Sequence, residues 1–135
     1  MGCDITMHSQ VKDPQGRWVW YDKDIYDQRN YTLFGILSGA RDHDVEYISK
    51  LKGYPEDSSD KLRPFNGWDP DDVTESGVYI GYAGTSYLNL TEIRSYDWTE
   101  MQESTFVKEV IPYLEAVAEK YGGPDNVRII FGYSC

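Results

Sequence analysis

Apolar and polar residues alternate with period two through the opening of the chain, Cys3-Asp4-Ile5-Thr6-Met7-His8-Ser9-Gln10-Val11. That is the pattern of a half-buried β-strand. Cys3, Ile5, Met7 and Val11 fall on one face, with the small Ser9 among them. Asp4, Thr6, His8 and Gln10 fall on the other, about 7 Å between alternate residues. A carboxylate, a hydroxyl and an imidazole thus stand in one row. After Lys12, Asp13-Pro14-Gln15-Gly16 has the residue preferences of a type I turn. Arg17-Trp18-Val19-Trp20-Tyr21 is β-prone and reads as the returning strand of a hairpin. Trp18 and Trp20 share one face, so the polar row is expected beside aromatic walls.

The period then changes. Arg29 to Gly39 reads as a short helix, with Leu33, Phe34 and Leu37 at helical spacing and Gly39 as terminator. Residues 42–77 have little periodicity and are rich in Asp, Glu, Pro and Ser. Such a segment is often functional. Val45 to Ile48 fits a brief helix or a strand, and Tyr54, Phe65 and Trp68 are expected to pin the segment to the core. Val78 to Tyr82 reads as a third strand, and Tyr87 to Leu90 alternates again. Thr91 is assigned as the N-cap of a short helical turn, and Thr99 to Gln102 has capping-box spacing. Val107, Val110, Ile111, Leu114, Val117, Ala118 and Tyr121 make an apolar stripe with a period of about 3.6 residues. Pro112, off that stripe, predicts a kink or a fresh start, and Gly122-Gly123-Pro124 a stop. Val127 to Tyr133 is apolar enough for a central strand. The order β-β-α-loop-β-(β)-α-β predicts one α+β domain over residues 1–135. It would have a mostly antiparallel sheet of about four to five strands, with two main helices packed on one face.

Composition narrows the function. A length of 135 residues with 40% hydrophobic content supports a core without staples. A net charge of −10 argues against binding a nucleic-acid backbone and suits plain solubility. No signal peptide and no membrane-spanning stretch is evident, so the expected location is cytoplasmic, with Cys3 and Cys135 reduced. Cys3 then reads as a small buried hydrophobe. The Asn30 and Asn89 sequons carry no weight in that compartment. There is no Cys-x-x-Cys pair, phosphate-binding glycine loop or calcium loop, so no cofactor and no metal are expected.

The candidate chemistry rests on few groups. The histidines are His8 and His43. A Cys3–Asp4–His8 nucleophile is disfavoured because alternation turns Cys3 away from the other two. Asp4 and His8, roughly 13 Å apart along an extended strand, would need Asp42, His43 or Asp44 to complete a metal site. The plainer reading makes them hydrogen-bonding strand residues. Arg29 and Arg41 flank the first helix, and guanidinium forks match phosphate or carboxylate; ion pairing on an acidic surface explains them as simply. With aromatic residues beside them, the candidate ligand-binding set is Asp4, Thr6, His8, Arg29, Asn30, Tyr31, Arg41, Ser86 and Tyr87.

Met1-Gly2-Cys3-Asp4-Ile5 with His8 resembles the opening of a family of small, largely uncharacterised proteins encoded by bacteriophages and prophages. Arg29-Asn30-Tyr31 with Leu33-Phe34, Gly53 to Asp57, Ser86 to Ile93 and Val127 to Tyr133 fit the same family. It commonly carries His where this chain has Thr6, and again where this chain has Gly84-Thr85. Those are the imidazoles that a metal or a general base would need. The resemblance implies a phage context and an accessory role. The resulting expectation is a protein that binds a host protein, in the manner of an anti-defence factor, or a small anionic, nucleotide-like ligand. The alternative is a metal-dependent hydrolase of phosphate esters using Asp4 and His8. Homo-oligomerisation stays open.

Overall fold

The computed structural model describes residues 2–58, 80, 81 and 83–135. Phe65, Trp68 and three residues of the predicted third strand, Val78, Tyr79 and Tyr82, lie outside that set. Among the described residues, four strands form one antiparallel sheet, β1 (Asp4–Lys12), β2 (Trp18–Trp20), β3 (Thr85–Asn89) and β4 (Val127–Ser134), in the order β2-β1-β4-β3. The helices are α1 (Tyr31–Ser38), α2 (Leu90–Arg94) and α3 (Ile111–Tyr121). The fold class is therefore α+β, as predicted. Ile80 and Gly81 are not in a strand.

Alternation in β1 sorts the core. Cys3, Ile5, Met7 and Val11 pack with Leu33, Phe34 and Leu37 of α1, Leu90 and Ile93 of α2, and Leu114, Val117 and Ala118 of α3. Ser9 shares that face because α3 comes close there: its Oγ lies 2.8 Å from the Tyr113 hydroxyl, which donates to Asp22 at 2.5 Å. Burial, then the bond to Asp22, pushes the Tyr113 phenol well above its ordinary value. On the opposite face Ile80 and Ile130 pack with Trp20, Tyr54 and Tyr87. Ile80 and Gly84 lie close against β4, and Gly132 permits it. A Cβ there would fall 2.5 Å from the Ile80 carbonyl oxygen.

The helix caps differ from the sequence expectation. Asn89, not Thr91, caps α2: its side chain accepts from the Glu92 amide while Glu92 accepts from the Asn89 amide, a complete capping box. Asn30 caps α1 by accepting from the Leu33 amide. Both sequon asparagines are thus helix caps. The Thr99–Met101 segment is a 3-10 turn whose cap position, Trp98, makes no side-chain cap bond. Gly39 and Gly122 end α1 and α3 in left-handed geometry, φ 78° and 90°. The predicted break near Pro112 is a change of helix type: a π-helical stretch, Phe106–Val110, runs into α3, with Pro112 in its first turn.

The largest correction concerns the cysteines. They are joined, Cys3 to Cys135, with Cα atoms 4.1 Å apart. Pairing of β1 with β4 sets Asp4 opposite Ser134, which carries the next pair outward, Cys3 and Cys135, into bonding range. The expectation of two free thiols is overturned by strand register.

Candidate functional site

The predicted set divides into three groups. The first is a corner where the start of β1 meets α1. Arg29 Nε donates to Asp4 Oδ1 at 2.7 Å, and both side chains are exposed. That bond holds the Asp4 carboxyl below its usual range and raises Arg29 above its own. The Tyr31 hydroxyl accepts from the Cys3 amide at 3.0 Å. Gly2 sits so tightly against both side chains that a Cβ would lie 2.3 Å from Arg29 Nη1 and 2.9 Å from the Tyr31 hydroxyl. Arg41 stacks on the Tyr31 ring, its guanidinium carbon 4.7 Å from the centroid. It does so from a left-handed backbone, φ 69°, unusual for a residue with a side chain. Arg41 makes no ion pair among the described residues. Asn30 belongs to this corner as the cap of α1.

The second group is Thr6 and His8, farther along β1. Thr6 stands in register with Gly132 and, across β4, Thr85. His8 is buried, Nδ1 accepting from the Asp24 amide at 2.9 Å, with its ring edge-on to Trp20. This is the hydrogen-bonding strand residue of the plainer reading, beside the aromatic wall that the hairpin predicted.

The third group, Ser86 and Tyr87, lies on β3, two strands from β1, and the two residues face opposite ways. Ser86 stands in register with Phe131 and Met7 on the helix-covered face, its Oγ accepting from the Lys52 amide. Tyr87 stands in register with Ile130 and His8 on the other face. Its ring lies near two cations, Lys52 at 4.7 Å and Arg128 at 5.2 Å. The structure does not bring Ser86 or Tyr87 to the Arg29 corner.

Sequence reading missed the most buried cation among the described residues. Arg128 is 3% exposed, beside Trp18 at 4.1 Å and Tyr87, with Nε and Nη2 both donating to Gln10 Oε1 and Nη1 to Asp57. Burial pulls its pKa below the ordinary value, opposed by Asp57. With Gln10 Nε2 donating to Ser58, this network ties residues 57 and 58 to the sheet. Its one sequence signal is Gln10 in the polar row, whose role depends on β4 lying beside β1.

No three His, Cys, Asp or Glu residues stand close enough to hold a metal ion among the described residues. A cleft of about 450 Å³ between the connector after β2 and residues 105–113 is lined by Asp22, Asp24, Asp27 and Glu109, with Lys23 its one cation among the described residues. Its charge is wrong for an anion. A second, of about 360 Å³, holds Asp42 and His43 beyond the end of α1. No described helix is long and apolar enough to cross a membrane.

No protein-family model, curated protein or solved structure matches the chain.

Proposed function

We propose that this protein works by binding, and that the Arg29–Tyr31–Arg41 corner receives a small anionic ligand of phosphate or nucleotide type. The observation that carries this reading is Arg41. In a chain of net charge −10, an exposed guanidinium is held in left-handed backbone geometry against an aromatic ring and makes no ion pair among the described residues. Backbone strain that persists in a fold is a pointer to function. Arg29 adds a second guanidinium beside the same tyrosine, oriented by Asp4. The phage-type accessory role, with action in the host cytoplasm and a part in countering host defence, rests on the resemblance of the motifs.

A thermal-shift screen over nucleotides, phosphate esters and dicarboxylates tests the reading, because a ligand bound to the native state raises the melting temperature. Stabilisation by phosphate-bearing compounds, lost in Arg41→Ala, is expected. Stabilisation that survives in Arg41→Ala and Arg29→Ala, or appears only with divalent metal salts, contradicts it.

A further inference from the structure

The residues that shape the Arg29–Tyr31 corner are also the ones tied down by the disulfide. Residues 2–4 touch the corner in three consecutive places. Gly2 lies against Arg29 and Tyr31, the Cys3 amide donates to the Tyr31 hydroxyl, and the Asp4 carboxylate accepts from Arg29. Cys3 is bonded to Cys135, 132 positions away. Asp4–Ser134 is the last registered pair of the β1–β4 ladder, so the disulfide continues the pairing one step beyond the strands. Of its two residues, Cys3 is buried and Cys135 exposed.

We propose that the Cys3–Cys135 disulfide is a redox-sensitive clasp that orders the anion-binding corner. This regulation rests on the binding reading above. With the bond closed, residues 2–4 are held at the end of the sheet, and Tyr31 and Arg29 keep fixed partners. A dithiol reductant opens it. Its thiolate attacks the sulfur of exposed Cys135, Cys3 leaves as a thiolate, and the reductant's second thiol resolves the mixed disulfide. The S–S bond breaks, two cysteine thiols form, and the reductant, giving two electrons and two protons, closes its own disulfide. Residues 2 and 3 then lie beyond the final ladder pair with no covalent hold, and strand ends of that kind fray. In a compartment kept reducing by glutathione the open form prevails. Oxidation would then switch the corner on.

The test compares protein refolded in an oxidising glutathione buffer with the same protein treated with dithiothreitol, and with Cys135→Ser. The oxidised form is expected to show no titratable thiol and the reduced form two; two thiols after oxidative refolding overturn the clasp. Pyrophosphate affinity should fall about fivefold on reduction and in Cys135→Ser, a difference on the order of 1 kcal/mol. Amide exchange read site by site is the ligand-free measurement. On opening, the β4 amides of Ile129 to Phe131 should lose protection only with global stability, and the Cys3 amide should lose more, exchanging by local fraying. If oxidised protein fails to bind pyrophosphate but the Cys3 amide still responds, the binding reading fails and the clasp stands. A Cys3 amide that keeps pace with the β4 amides, or equal affinity in the two redox states of a protein that binds, overturns the clasp.

Discussion

At the scale of single residues, two positions show how closely the sheet and its cover are matched. Gly132 faces the Ile80 and Gly84 carbonyl oxygens at distances a methyl group cannot share: a Cβ at this position would lie 2.5 and 3.0 Å from them, and both obstacles are backbone. Gly132→Ala is expected to cost about 2 kcal/mol of stability by overpacking, measured by urea unfolding. Tyr133, one residue on, is buried against Phe34 and hydrogen-bonded with Ser38 at 2.7 Å. Burial pushes its phenol from 10.0 up to about 12. The folded protein therefore holds this proton more tightly than the unfolded chain does. The associated stability is complete below pH 10 and is lost as pH climbs toward about 12. In an alkaline stability series, Tyr133→Phe should flatten the decline over that interval, and an unchanged slope would contradict the assignment.

At the scale of elements, local signals suffice where one short stretch supplies all the partners. The β1–β2 hairpin, α1 with its Gly39 stop, the break near Pro112 and central β4 follow from alternation, helical spacing and turn residues within about ten positions of each other. Caps are harder, because Asn89 and Thr91 are both competent and only the end of β3 decides between them. Asn89→Ala should cost about 1 kcal/mol, whereas Thr91→Ala, on an exposed side chain, should change stability by less than about 0.5 kcal/mol. Thermal unfolding of the two variants separates the assignments. Sequence alone does not reveal that Ser86 and Tyr87 sit on β3 beyond β4, because strand order depends on pairings as distant in the chain as Asp4 with Ser134 and Asn89 with Arg128. The candidate set therefore mixes residues of the corner with residues that support the sheet. For the same reason Arg128 stays hidden: its partners Gln10 and Asp57 are 118 and 71 positions away.

At the scale of the whole molecule, the disulfide closes nearly the entire chain, and a cross-link over so long a loop restricts the unfolded state most. Its removal in Cys3→Ser/Cys135→Ser is expected to cost about 4 kcal/mol in denaturant unfolding, with the midpoint moving to lower urea. The same cross-link holds residues 2–4 against the only group of predicted site residues in which two arginines share a tyrosine. In a molecule of net charge −10, Arg41 makes no ion pair among the described residues, which is the local positive character that the binding proposal needs. The most direct test of that claim is a calorimetric titration of oxidised protein with pyrophosphate at low ionic strength, alongside Arg41→Ala. Saturable binding, weakened about tenfold in Arg41→Ala and falling as salt rises, is the expected result. No saturable heat, or the same affinity in Arg41→Ala as in the unaltered protein, would contradict it.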